Sequence, residues 1–266
     1  MVPKGMGWII VDALDTLMIM NLTSRLSHAR EWMSTSLNFD QDHEVNTFET
    51  TIRMLGGLLS AHYLSTTYPD WAPLSDDDKG APGEDLYLEK ATDLAGRLLG
   101  AFESNSGIPY ASVNLQSSKG VPSNFDGGAS STAEAATLQL EMKYLAKLTG
   151  EKNYWDKAEK VIQVIDDNGM EDGLLPIFIY ADRGQFRGEN IRLGSRGDSY
   201  YGKYWVPSIW RWRTADTFRV SYQTIPADLE ARGYLLRYVE PGSCRRPEAP
   251  HHILGALSFH GSCREA

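Results

Sequence analysis

VNTFETTIRMLGGLLSAHYLS, residues 45–65, sets Val45, Phe48, Ile52, Leu55, Leu59 and Tyr63 along one stripe at helical spacing. The pattern predicts a long amphipathic helix over that span. The same period returns over 84–103 through Leu94, Leu98 and Phe102, and over 131–148 through Leu138, Leu145 and Leu148. It appears again near 154–165, and in shorter form around 12–20 and 24–37. Strand-like alternation hardly appears before residue 105. The sequence therefore reads as all-α: consecutive helices joined by turns, the pattern of helical hairpins packed side by side. No sequence repeat accompanies it.

A chain of 266 residues buries a sizeable core in one large domain or two small ones. With 42% hydrophobic and 23% charged residues it has the composition of a globular protein. Its net charge of −9 argues against a nucleic-acid binder, which needs a Lys/Arg surplus to displace counterions from phosphates. A neutral or cationic partner fits better, and a monomer is expected. The longest apolar run, 8–20, is broken by Asp12 and Asp15 and falls short of the roughly 18 residues of a membrane span. Met1 to Gly7 lacks the basic start, apolar middle and cleavage site of a secretory signal. Asn21-Leu22-Thr23 fits the glycosylation sequon, which often arises by chance and matters only in the secretory pathway.

Three connections interrupt the helices: 66–83, rich in Pro, Asp and Gly; 105–128, rich in Ser, Gly and Asn; and 184–197. Loops this long inside a compact domain are more often functional than idle. Within the second, Ile108-Pro109-Tyr110 and Ser112-Val113-Asn114 suggest a short hairpin. The third ends in Gly194-Ser195-Arg196-Gly197, and a helix is expected to start at Asp198. From about residue 202 the character changes: Lys is absent beyond Lys203 while eight Arg follow, and both cysteines, Cys244 and Cys263, appear. This gives two parts, 1–201 and a divergent tail, 202–266. The tail is expected to be poorly ordered, as a shifted reading frame, retained intron or alternative exon would leave it.

Among the chemistry-bearing residues, Glu134 and Glu141 stand out. On one continuous helix they lie within roughly 20° of each other and share a face with Leu138, Leu145 and Leu148. Two readings stay open. Either they point inward, where an ionised group must be paired, hydrogen-bonded or bound to a ligand or metal, or they sit at the stripe's edge in surface pairs. Glu49 and Arg53, four apart, form an i,i+4 ion pair or face a groove left open by Gly56 and Ser60. Asp198, Asp12 and Asp15 read first as helix-start carboxylates or partners of a neighbouring helix. There is no P-loop, dinucleotide fingerprint, H-E-x-x-H or paired C-x-x-C, and His251-His252 stands in the tail. Acidic residues on inner faces with no nucleophile motif suggest a sugar-handling site, where two carboxylates act as acid and base.

The string Gly7 to Leu17 together with Val45 to Ala61 resembles two signature stretches of glycoside hydrolase family 47, the class I α-1,2-mannosidases. Pro109 to Asn114, Ala133-Glu134 through Leu140-Glu141, and Leu193 to Tyr201 resemble that family in the same order. The resemblance covers residues 7 to 201, the N-terminal half of such an enzyme. It implies part of an (α/α)7 barrel, incomplete at its C-terminal side, around a glycan cavity with calcium at its base. The implied reaction is inverting hydrolysis of α-1,2-linked mannose on oligomannose N-glycans, in the endoplasmic reticulum, the Golgi or outside the cell. Glu49 matches the general acid, working through a water, and Asp198 a second catalytic carboxylate. Arg53, Glu134 and Glu141 match residues lining the sugar and calcium site, and Asp12 belongs to a motif near the cavity. The family's general base, its direct calcium-binding threonine and its disulfide find no match in 202–266. The chain is therefore expected to be of poor stability and to hydrolyse little or nothing; a mannose-binding pseudoenzyme is the alternative.

Overall fold

The structure is a computed structural model in which residues 5–70, 85–169 and 174–203 are described. Three helices open the chain: α1 (Trp8–Asp12), α2 (Leu14–Ile19) and α3 (Thr23–Thr35). Strand β1 (Glu44–Asn46) leads into α4 (Thr47–Glu49), a π-helical stretch (Thr50–Leu55) and α5 (Gly56–Thr67), which together make one continuous rod. Next come α6 (Leu86–Leu98) with a 3₁₀ extension (Leu99–Phe102), β2 (Ser112–Asn114), β3 (Lys119–Val121) and β4 (Ala129–Ser131). The described part closes with α7 (Thr132–Ala136), α8 (Gln139–Thr149), α9 (Lys152–Asp167), β5 (Phe178–Tyr180) and α10 (Asp198–Lys203).

The rod 47–67 is the hub. Leu58, Leu59, Ala61 and Leu64 of α5 are all buried, because α1, α2, α6 and α8 pack around it. A helix apolar on most sides belongs in the interior rather than on a surface. The helices α2 with α3, α5 with α6 and α8 with α9 pack as hairpins. Amphipathic α9 turns Tyr154, Ala158, Val161, Ile162 and Ile165 inward and ends the list of long helices. One apolar core runs through all of them, with Phe39, Tyr87 and Phe102 its largest fully buried side chains.

Three expectations are corrected. The helix expected from Val45 begins at Thr47: Val45 pairs with Val113 in an antiparallel strand, and the Asn46 side chain accepts from Glu49 N at 2.7 Å as the helix cap. The helix expected over 131–148 is two helices. The Thr137 hydroxyl turns back to the Ala133 carbonyl at 2.7 Å and the backbone leaves helical geometry at Thr137 and Leu138, although the apolar period carries on across the break. The hairpin expected within 108–114 is instead the middle of a three-stranded sheet, β1-β2-β3, with Ser112 opposite Asn46 on one side and Val121 on the other. Residues before it are drawn elsewhere, since Tyr110 N donates to Ala101 O. A second sheet joins β4 to β5. The helix start at Asp198 lies where expected. Beyond Lys203 the tail, with Cys244, Cys263 and the His251-His252 pair, lies outside the described residues, as does most of the connection 66–83.

Candidate active site

Two helix starts are built alike. Asn46 ends β1 and caps α4, which puts Glu49 in the first turn with its amide on the cap. Ser131 ends β4 and caps α7, and its Oγ accepts from Glu134 N at 3.4 Å. In each case the next residue is a threonine whose hydroxyl donates to a distant loop: Thr47 to Tyr110 O at 2.9 Å and Thr132 to Pro176 O at 2.6 Å. A carboxylate in a helix's first turn also meets the positive end of the backbone dipole. Glu49 and Glu134 are near enough to repel each other, and Glu134 lines a small cleft with Thr47, Phe48, Tyr110 and Ser130.

Arg53 extends this wall. Its Nε donates to Glu49 Oε2 at 2.6 Å and its Nη1 lies 3.7 Å from Asp12 Oδ2. The side chains of Arg53, Glu49 and Asp12 are 43%, 42% and 46% exposed, so this is an open, solvent-facing triad and not a buried tie. Asp12 reaches it because α1 lies directly on α5 at Gly57, where an added Cβ would stand 2.7 Å from the Val11 carbonyl oxygen. Arg53 falls in the π-helical stretch, a widening of the helix often found at functional sites. Asp15, by contrast, accepts only from its neighbour Thr16 among the described residues.

Glu141 is buried and lies against the same rod one turn further in, beside Gly56, where an added Cβ would stand 3.7 Å from its Cγ. Glu134 and Glu141 thus both face the rod 47–67, but from two helices and not from one shared face. Burial pushes the Glu134 carboxyl up; Glu49 and Asp126 push it the same way, against the attraction of Arg196. Asp198 opens α10 on an exposed turn, its Oδ1 accepting from Ser199 N, and makes no ion pair with a described residue. Its loop is nevertheless fastened to the Glu134 helix, since Arg196 O accepts from Ala133 N at 2.9 Å. So Asp12, Glu49 and Arg53 are joined, Glu134 is within electrostatic reach, Glu141 lies beside Gly56 on the same rod, and Asp198 is connected through its loop's bond to the Glu134 helix.

Sequence reasoning missed the pair that completes the rim. Arg196 Nη1 lies 3.2 Å from Asp126 Oδ2 and its guanidinium sits 4.8 Å over the Phe178 ring. Asp126 and Phe178 carry no local signal; only the Gly194 to Gly197 turn pointed at this place. Tyr110, on the cleft wall, donates to Asp182, which together with burial pushes its hydroxyl up to about 12 and keeps it a donor at neutral pH. Among the described residues no three His, Cys, Asp or Glu side chains converge to hold a metal ion, so they do not form a calcium cage by themselves.

The raised titration of Glu134 carries a prediction. A carboxyl whose folded pKa lies above its unfolded one makes the ionised folded state less stable, a penalty relieved as the pH falls through the folded value. Glu134→Gln is therefore expected to raise the melting temperature at neutral pH. The gain should vanish in acid, where the wild-type carboxyl is protonated too; a gain that persists or grows in acid counts against this account.

Paired acids on helix starts around one cleft, carried by stacked helical hairpins, are suited to glycoside hydrolysis. The chain belongs to glycosyl hydrolase family 47: residues 1–237 match that family model, beyond the compositional boundary at 201. It is 56% identical over 199 residues to the mannosyl-oligosaccharide 1,2-alpha-mannosidase of Candida albicans, a match covering 75% of this chain and 32% of that protein. It is 47% identical over 216 residues to the endoplasmic reticulum mannosyl-oligosaccharide 1,2-alpha-mannosidase of Saccharomyces cerevisiae, covering 75% and 37%. The chain thus spans about a third of the length of these relatives. The fold matches an alpha-1,2-mannosidase from Trichoderma reesei at a TM-score of 0.69 and 24% identity, over 82% of this chain and 46% of that one. The helical hairpins are those of the (α/α) toroid.

Proposed function

We propose that the cleft takes a terminal α-1,2-linked mannose of an oligomannose N-glycan, in a compartment of the secretory pathway, and that Glu49 is the acid that assists departure of the glycosidic oxygen. The observation that supports this reading is the open triad Asp12–Arg53–Glu49 facing Glu134. Arg53 engages one oxygen of Glu49, while the other takes no hydrogen bond from a described residue and is available toward substrate. Inversion requires a second carboxylate, on the far side of the sugar, to activate water. Asp198 is the candidate among the described residues for a carboxylate supporting that side, in a family whose general base has no match in 202–266. Calcium dependence comes with the family, and Glu134 and Glu141 are the carboxylates that would face the ion.

The 266-residue chain alone is accordingly expected to bind α-1,2-mannobiose and to release no mannose from an oligomannose glycan. Calorimetry and assay of free mannose check the two halves separately. Release of mannose that a calcium chelator abolishes overturns the second half, and absence of any binding overturns the first.

A further inference from the structure

Asn21-Leu22-Thr23, the sole N-x-S/T tripeptide among the nine asparagines of the chain, falls in the turn between α2 and α3. Asn21 adopts the left-handed conformation at φ 54. Leu22 N donates to Leu17 O at 2.9 Å and Asn21 N to Met18 O at 3.0 Å, the paired hydrogen bonds of a Schellman cap with asparagine in the place usually held by glycine. The cap consumes the backbone donors of Asn21 and Leu22 and leaves the side chains outside. Asn21 and Thr23 are both exposed, and neither side chain hydrogen-bonds to a described residue. The last residues of α2 bring an apolar surface to the same spot: Ile19 is 46% and Met20 63% exposed, two adjacent members of the small set of exposed large apolar side chains.

An asparagine here has a plain conformational explanation, because it tolerates the left-handed region better than other side chains. That explanation says nothing of Thr23, the first residue of α3, whose hydroxyl neither caps a helix nor bonds to a loop as those of Thr47 and Thr132 do. Nor does it explain two consecutive large apolar side chains left in water beside it. A bulky polar modification on Asn21 accounts for all three features.

We propose that Asn21 is an N-glycan acceptor and that the sugar chain stands over Ile19 and Met20. The inference rests on the secretory compartment assigned above, not on the catalytic reading. The donor is an oligosaccharide linked to a lipid pyrophosphate. The Asn21 amide nitrogen forms the bond to C1 of the first sugar as the bond from C1 to the phosphate oxygen breaks. The lipid pyrophosphate leaves and one amide proton is released, with no change of oxidation state. The folded turn accommodates the product, since the acceptor side chain already points to solvent.

Two substitutions separate the sequon from the cap. Thr23→Ala removes the sequon and leaves Asn21 in the cap, while Asn21→Gly removes the amide and suits the left-handed φ. The full chain, directed into the lumen by an appended signal sequence, is expected to gain a mobility shift that peptide N-glycosidase reverses, converting Asn21 to aspartate in the mass spectrum. Both variants should lack the shift and melt with the same cooperativity as deglycosylated wild type. They should bind more of an apolar dye than the glycosylated chain. Wild-type chain that is protected from protease in the lumen yet unmodified overturns the proposal, as does modification that persists in Thr23→Ala; equal dye binding overturns the shielding of Ile19 and Met20. Mannoside binding enters none of these readouts, so failure of the glycosidase reading and failure of the acceptor site are separate results.

Discussion

Gly100→Ala is expected to lower stability by roughly 3 kcal/mol or more, while Gly96→Ala, four residues earlier, is expected to raise it by about 0.5 to 1 kcal/mol. Gly96 is exposed on α6, and an added Cβ meets nothing nearer than the Tyr154 hydroxyl at 4.0 Å, so alanine only removes freedom from the unfolded chain. Gly100 is buried in the 3₁₀ extension, and a Cβ there would stand 1.7 Å from the carbonyl oxygen of Ser118. That oxygen is backbone, in the turn of the β2–β3 hairpin, where Ser118 already has a positive φ and Asn114 Oδ1 accepts from Gln116 N and Ser117 N. The hairpin must move as a body. Because β2 also pairs with β1, the displacement reaches Asn46 and the cap of the Glu49 helix. Urea titrations of the two variants should shift in opposite directions, and a Gly100→Ala midpoint equal to wild type would mean that the close approach is absent.

Arg53→Lys is expected to weaken mannobiose binding nearly as much as Arg53→Ala, by about tenfold to a hundredfold, the equivalent of one charge-assisted hydrogen bond of roughly 1.5–3 kcal/mol. Arg53 uses Nε toward Glu49 and Nη1 toward Asp12, two directions from one planar group that an ammonium cannot reproduce. The three side chains are open to solvent, so both substitutions should cost stability less than about 1 kcal/mol. Calorimetry beside thermal melts distinguishes the roles. Full affinity in Arg53→Lys would reduce Arg53 to a point charge, and a collapse of the melt would make the triad a structural tie.

How much of this was legible in the sequence depends on the range of the interaction. Helix α9 declared itself because its apolar period is set by what it buries, whereas the rod 47–67 was legible as a helix but not by its face. Phe48, Ile52 and Tyr63 of the stripe are half-buried, and Thr47, Thr50, Met54 and Leu58 lie deeper. The same period misled at Val45, which is in phase with the helix but pairs in a strand, and at Thr137, where the backbone leaves helical geometry without disturbing the pattern. Glu134 and Glu141 do face the hub, though the one-helix argument for it fails. The attraction of Arg196 for Asp126, Glu134 and the Phe178 ring joins segments far apart in the chain, and nothing local encodes it.

The two helix starts have a last consequence. Asn46-Thr47-Phe48-Glu49 and Ser131-Thr132-Ala133-Glu134 follow one formula, in which a strand end fixes a cap, a threonine moors it to a loop and the acid follows two places later. The cleft wall therefore uses one local device twice, and what differs between the two acids comes from their surroundings: Glu49 is open and paired with Arg53, whereas burial raises the Glu134 carboxyl. The cap and the place before the acid are what vary, Asn46 and Phe48 in one, Ser131 and Ala133 in the other, and of the latter two only Phe48 lines the cleft, while Ala133 is buried in the core.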